Sequence, residues 1–378
     1  MTLTKANLVL LAVAAALAVP TALQLRGESE VFKDVARIPL LFDGFTSDNV
    51  GAIVIATPKK EQPPAEPNKP AQVAYDALYL QRVDNGYVFG QQTGDLAGAP
   101  ANKDRVENDV FAHLRTIRSD AEAVVQSNAT PAQLAEFGLD EAHATVIRAS
   151  DLTGRNVVAE LLVGRDAGGG QKGTEAVRGV FVRKSDSTDV ILYEFEKFWR
   201  RDVQVEQWLD KSLLRIEPDR VQTFAVTNTA GNGVPYGFEK RDGKASWHAT
   251  RQPVDVGAVR QANVEGLLQR LRYVTAQDYR MPLQRANLAQ LGLQPPQIKI
   301  ELKIREDGRD RDVWFAIGNQ VEGKNEYYLA SSESKFLMTW PAGLVTPFEV
   351  DLHAEMFDRP GAVPPPDAPD APQVGPKK

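Results

Sequence analysis

The chain has 378 residues, enough for two or three ordinary domains, and with 43% hydrophobic and 25% charged residues most of it is expected to fold. Its net charge of -6 argues against a nucleic-acid partner, which calls for a basic face. The absence of cysteine excludes disulfides, zinc–thiolate sites and thiol nucleophiles.

In chain order, residues 1–5 precede a 20-residue run without a charge, Ala6 to Leu25, bounded by Lys5 and Arg26. Twenty helical residues reach ~30 Å, the thickness of a bilayer's hydrocarbon core. The run is read as a single membrane span. A cleaved signal peptide ending at Ala16-Leu17-Ala18 is the rival reading, but the apolar run continues past that site. Lys5 and the terminal amine precede the span while Arg26, Lys33 and Arg37 follow it, so a count of positive charges does not favour an inside N-terminus, but long following domains translocate largely regardless of charge. The expected placement is the inner (cytoplasmic) membrane, with the N-terminus inside and the bulk periplasmic or otherwise extracytoplasmic.

Beyond a linker over 26–40 the sequence repeats itself. Leu134-Ala135-Glu136-Phe137-Gly138-Leu139 returns as Leu288-Ala289-Gln290-Leu291-Gly292-Leu293, and Leu161-Leu162-Val163-Gly164 returns as Phe315-Ala316-Ile317-Gly318, both 154 residues on. Two motifs at one offset imply an internal duplication. Val50 to Ile55 pairs with Val221 to Val226, the helix bearing Val110, Phe111, Leu114 and Ile117 pairs with Leu267, Leu268, Leu271 and Val274, and Val182 pairs with Leu329. The loops Lys59 to Gln72 and around Gly168-Gly169-Gly170 absorb the extra length of the first copy.

Each copy follows the same order. Strands come first (Leu78 to Val83 and Tyr87 to Phe89; Tyr236 to Lys240 and Ser246 to Ala249). An amphipathic helix follows, in the second copy with Val264, Leu267, Leu268, Leu271 and Val274 at helical spacing and Asp255 as candidate N-cap. A short second helix is next. Thr130, Pro131 and Gln133 make a capping box in the first copy, and Gly138 or Gly292 with the following Leu makes a Schellman ending. Each copy closes with short alternating strands: Thr145 to Arg148, Val157 to Gly164, Gly179 to Arg183 and Asp189 to Tyr193, then Gln297 to Ile304, Asp312 to Gly318, Tyr327 to Ala330 and Lys335 to Thr339. The expected fold class is α+β: two tandem repeats over 41–197 and 213–358, each a largely antiparallel sheet with helices on one face, joined by a helical connector over 198–212. A Pro-rich tail over 359–378 is expected to be disordered.

This order of pieces, the Leu-x-x-Phe/Leu-Gly-Leu ending, the strands finishing in Gly164 and Gly318, and Trp208-Leu209-Asp210-Lys211-Ser212-Leu213-Leu214 resemble the bacterial domain-of-unknown-function 4340 family. The resemblance implies a membrane-anchored extracytoplasmic protein, associated in some members with auxiliary parts of gliding-motility-type ABC transport systems. It implies no catalytic residue.

Signatures of chemistry are weak. Gly318-Asn319-Gln320-Val321-Glu322-Gly323-Lys324-Asn325 approaches a phosphate-binding loop, but Asn325 stands where Ser or Thr is needed and a strand follows where a helix is required. The same objection applies to Gly168-Gly169-Gly170-Gln171-Lys172-Gly173-Thr174. Asp351, His353 and Glu355 alternate and would share one face of an extended segment, where a solvated edge is a better reading than a metal site. His113, His143 and His248 are isolated, and His113 is expected on the surface of its helix. The five tryptophans, Trp199, Trp208, Trp247, Trp314 and Trp340, could form a ligand-stacking surface, but Trp314 and Trp340 fall in or beside strands and read as core, and Trp199 and Trp208 lie in the connector, placed to face a partner or the other repeat. Asn128-Ala129-Thr130 fits a glycosylation sequon, but capping by Thr130 accounts for it. No catalytic, cofactor-binding or metal-binding residue is assigned and no cofactor is expected. The functional expectation is a non-enzymatic accessory or scaffold subunit of an ABC-type transport or cell-envelope complex, with the membrane and other membrane-complex proteins as partners. The alternative is a polysaccharide or peptidoglycan binding module, which would need an exposed aromatic groove.

Overall fold

The computed structural model describes residues 38–60, 73–84, 86–167, 178–195, 199, 201–229, 235–241, 246–251, 256–349 and 352–359. The predicted span Ala6 to Leu25, the glycine loop at 168–174, Asp255 and the tail beyond 359 lie outside them. Among the described residues no helix is long and apolar enough to cross a membrane.

Alternation of buried and exposed residues builds the first sheet from β1 (Val50–Pro58), β2 (Tyr75–Val83), β3 (Gly86–Phe89), β4 (Pro100–Ala101), β5 (Val124–Gln126), β6 (Thr145–Asp151), β7 (Val157–Asp166), β8 (Arg178–Lys184) and β9 (Val190–Phe195). Its spatial order is β4-β3-β2-β1-β6-β7-β8-β9-β5, antiparallel throughout. A two-stranded ribbon pairs β10 (Ser212–Arg215) with β14 (Tyr273–Thr275). The second sheet contains β11 (Val221–Asn228), β12 (Pro235–Lys240), β13 (Trp247–Arg251), β15 (Asp278–Pro282), β16 (Ile298–Glu306), β17 (Arg309–Gln320), β18 (Glu326–Ser331) and β19 (Phe336–Pro341), in the order β13-β12-β11-β16-β17-β18-β19-β15. Apart from β4, the two sheets run in the same sequence of connections.

The molecule is thus mostly antiparallel sheet with few helices: α1 (Lys103–Val106), a π-helical turn Glu107–Phe111, α2 (Ala112–Thr116), α3 (Pro131–Glu136), α4 (Val205–Trp208), α5 (Gln261–Arg270), α6 (Ala342–Glu349) and α7 (Leu352–Met356). The sequence leads one to expect helices on one face of each sheet; instead both faces are covered. On β7, Leu161 and Val163 point with Val110 and Leu114 into the main core. Leu162, between them, points the other way, onto Leu134 and Leu139 at and beyond α3. In the second sheet Phe315 and Ile317 join α5 and α6 in the main core, and the intervening Ala316 packs with Leu288, Leu291 and Leu293. Period-two side chains on strands buried on both sides require a cover on both sides.

Two local expectations also change. The helix α5 begins at Gln261 with Arg260 at the N-cap position and no side-chain cap, well after Asp255. The short helix expected ahead of Gly292 does not form: Leu283–Arg285 is a 3-10 turn, and Leu288 to Gly292 is a turn that still closes with a Schellman pair, Leu293 N–H to Leu288 O at 2.8 Å and Gly292 N–H to Ala289 O at 3.1 Å.

Candidate functional site

The Leu-Gly-Leu turns explain their glycines. Gly138 and Gly292 have φ of 68° each, the left-handed value a Schellman ending needs. Each turn then docks on the strand that carries the second glycine, which runs two residues beyond it, to Asp166 and Gln320: Arg165 N–H donates to Phe137 O (3.0 Å) and Asn319 N–H to Leu291 O (2.8 Å). A Cβ on Gly164 would fall far inside van der Waals contact of Phe137 O, and one on Gly318 inside that of Leu291 O. These glycines serve backbone approach.

The connector is built just as tightly. Trp208 has no exposed surface, its indole N–H donates to Asp202 O (2.9 Å), and its carbonyl accepts from Asn102 N–H (2.7 Å). Leu209 bridges to Ala101 at the end of β4, Asp210 N–H reaches Pro100 O (2.9 Å), and Ala276 N–H donates to Lys211 O (2.7 Å). Arg285 and Asp95 pair across the junction at 2.7 Å. The same apolar core runs through both sheets and includes Trp208.

The most chemically distinctive cluster surrounds His113, which is 8% exposed rather than on the surface. Its ring stacks on Trp199 with centroids 4.3 Å apart, and Phe195 and Tyr193 meet it edge-on. His113 Nδ1 and Tyr193 OH are 2.9 Å apart, and Tyr193 OH is also 2.9 Å from Thr116 Oγ1, whose hydroxyl donates to Ala112 O. With that proton committed, Tyr193 donates to Thr116 and accepts from a protonated Nδ1. Trp199 is itself fixed by its indole N–H to Asp109 O (2.7 Å), on the π-helical turn. Burial, aided by the Arg201 cation, pulls the His113 pKa down to about 4, and burial pushes the Tyr193 phenol up. Both groups are therefore neutral at pH 7. A cavity of about 400 Å³ opens beside them, lined by Thr116, Arg118, Glu122 and Tyr193 among others. Arg118 is already paired with Asp120 and Glu122.

This arrangement is a satisfied polar knot inside an aromatic cage, and its position in the core gives it a packing role. Sequence reasoning missed it because His113 and Tyr193 are 80 residues apart. The one signal was the repeat alignment, which sets Tyr193 opposite Trp340, a core position.

The other sequence candidates do not converge. Gly318 to Asn325 joins β17 to β18 as a hairpin, with Val321 N–H to Glu326 O at 2.8 Å. His353 and Glu355 lie on the helix α7, so the shared face of an extended segment is not formed, and no metal-ligand cluster occurs among the described residues. His143 is exposed and pairs with Asp140 (2.7 Å); His248, on β13, lies 3.5 Å from Ser246 Oγ. Thr130 caps α3 in a full capping box. Trp199, Trp208, Trp247 and Trp340 are buried and Trp314 is half-buried, so the tryptophans do not make an exposed stacking groove.

Fold and geometry define a mostly antiparallel two-sheet protein with few helices, in which the Leu-Gly-Leu and Trp-Leu-Asp-Lys segments are joints between elements. Residues 93–280, from the first sheet through the connector into the second, match the family described as Domain of unknown function (DUF4340), and the chain resembles that family. No curated protein and no solved structure matches the chain.

Proposed function

We propose that the chain is a non-enzymatic, membrane-anchored extracytoplasmic scaffold, built from two copies of one α+β unit held rigidly to each other, and that it serves as an accessory subunit of an ABC-type transport or cell-envelope complex. The observation that carries the reading is the connector: Trp208, without exposed surface, accepts from Asn102 of the first unit, and Lys211, three residues on, accepts from Ala276 of the second, so the two sheets present fixed surfaces at a fixed spacing. A protein that must hold partners in register benefits from such rigidity, since less freedom is lost on binding. The matching strand order of the sheets supports the duplication. The anchor rests on the charge-free run Ala6 to Leu25, and the transport association on the family resemblance.

Affinity purification of the full chain from gently solubilised bacterial membranes tests this. Transporter or envelope-complex subunits are expected to co-purify in stoichiometric amounts. Recovery of this chain alone, or its recovery from the aqueous fraction, overturns the reading.

A further inference from the structure

The two units treat one slot in opposite ways. In the first, Trp199 fills it: the side chain is buried, its ring stacks on His113 and its indole N–H donates to Asp109 O. Trp199 lies six residues beyond Tyr193, and six residues beyond the matching Trp340 stands Thr346. On the helices Val110 answers to Leu267, so Asp109 answers to Gly266 and His113 to Arg270. Gly266, Arg270 and Thr346 are again neighbours, but here they line an open groove of about 640 Å³ between α5, α6 and α7. Gly343 stands beside them, and the buried Leu267 and Met356 make the floor.

Nothing inside the chain requires this space. A Cβ on Gly266 or on Gly343 would meet nothing within 4 Å. Glycine in a helix interior destabilises the helix relative to alanine, and Gly266 stands in the middle of α5. What its missing side chain provides is room for a body from outside. The first unit shows the shape that fits: a flat aromatic ring laid against a planar side chain. Arg270 is planar and exposed, and a guanidinium stacks on an aromatic face. In the first unit Arg201 already does so, 5.6 Å from the centre of the Trp199 ring.

The source of the ring follows from the sequence. Outside the described residues the aromatic residues are Phe32, ahead of the first sheet, and Phe198, next to Trp199; the second unit and the tail hold none there. Among the described residues the exposed aromatic is Tyr273, already flanked by Arg215 and Arg272 at 5.5 Å each, so a second copy offers no free ring. We propose that the groove between α5, α6 and α7 is a docking site for a different protein, which inserts an exposed aromatic side chain between Gly266 and Thr346 against Arg270, as Trp199 is held against His113. The inference deepens the scaffold reading above by giving it a docking site. Its readout lies at two glycines of the second unit and not at the membrane or a transporter, so either can fail alone.

The test is a titration of the detergent-solubilised full chain, isotope-labelled on glycine nitrogen, with N-acetyl-L-tryptophanamide, followed by NMR. The amide signals of Gly266 and Gly343 should shift saturably, with a dissociation constant on the order of 1 mM, while Gly154 in the distant β6–β7 turn stays still. N-acetyl-L-leucinamide should bind about fivefold more weakly, and Arg270→Gln should weaken the tryptophan probe about threefold. Gly266→Leu, whose side chain enters open space, should keep the far-UV circular dichroism and abolish the shift at Gly343. No saturable shift at the two glycines, an equal response to both probes, or unaltered binding in Gly266→Leu overturns the proposal. Shifts that grow with protein concentration in the absence of probe reveal a second copy as the occupant and also overturn it.

Discussion

The slot that holds Tyr193 in the first sheet holds Trp340 in the second. Both residues sit opposite equivalent positions, Val180 and Tyr327, in matching ladders. Around Tyr193 the sheet keeps a hydrogen-bonded His113 and Thr116; around Trp340 it keeps Phe315, stacked at 6.2 Å, and the indole N–H has no partner among the described residues. The aligned partner of His113 is Arg270, which is exposed at the end of α5. One backbone frame thus accepts either a polar knot or an apolar stack, provided the volume is filled and most polar groups are met. What the polar version adds is a proton that can be taken up, so the sheets should differ in their response to pH while sharing their joints.

The shared joint is the strongest point at which to break the comparison. Trp208→Ala removes a fully buried indole of the connector from the core that runs through both sheets and should cost about 4 kcal/mol. Urea unfolding followed by circular dichroism should then show two transitions in place of one, as the sheets melt separately. A single transition at the wild-type midpoint would mean that the junction does not couple them.

Next come the glycines that the two sheets use alike. Gly164→Ala and Gly318→Ala each drive a Cβ into a backbone carbonyl of the docked turn, at a cost of about 2–3 kcal/mol apiece. Equal losses in chemical denaturation would bear out the geometric equivalence; a loss at one position only would show that one turn yields and the other does not.

These joints were legible in the sequence and the knot was not, for a physical reason. Gly138, Gly292 and the Thr130 capping box are local devices, defined by residues within a few positions of one another, so spacing reveals them. The strands β7 and β17 were legible as short strands, but they were read as alternating, whereas Leu161-Leu162-Val163 and Val313 to Ile317 are continuous apolar runs. The side of the sheet that α3 covers depends on Leu162, whose neighbours Leu161 and Val163 face the other way, and a continuous run hides which residue faces which cover. The short strands β5, β10, β14 and β15 carry too few residues to show a period, and they went unread together with α6 and α7. His113 was misplaced because its burial is created by Trp199 and Tyr193, far along the chain.

That burial yields the pH prediction. In the unfolded chain His113 takes a proton near 6.5, whereas in the fold it does so only near 4. Between these values the unfolded state binds more protons, so stability falls as pH drops from 7 towards 4 and is fully present above 6.5. From pH 7 to pH 5 the loss attributable to His113 is about 2 kcal/mol. In His113→Asn, which keeps a donor near the Nδ1 position and does not titrate, the pH 7 to pH 5 difference in urea midpoint should shrink accordingly. An unchanged difference would assign the acid sensitivity to other groups.

The smallest effect tests why the two short turns diverge. In the first sheet Thr130 accepts from Gln133 N–H and the Gln133 side chain accepts from Thr130 N–H at 2.8 Å, and α3 forms behind that box. At the aligned place in the second sheet stands Gln284, with a 3-10 turn and no α-helix. The box, and not the Leu-Gly-Leu ending that both share, is what turns the segment into a helix. Thr130→Ala should therefore cost about 1 kcal/mol and raise amide exchange over Leu134 to Phe137. Gln284→Ala should leave both stability and exchange unchanged. If the two substitutions prove equivalent, the helix owes its existence to packing of Leu134 against Leu162, and the cap is incidental.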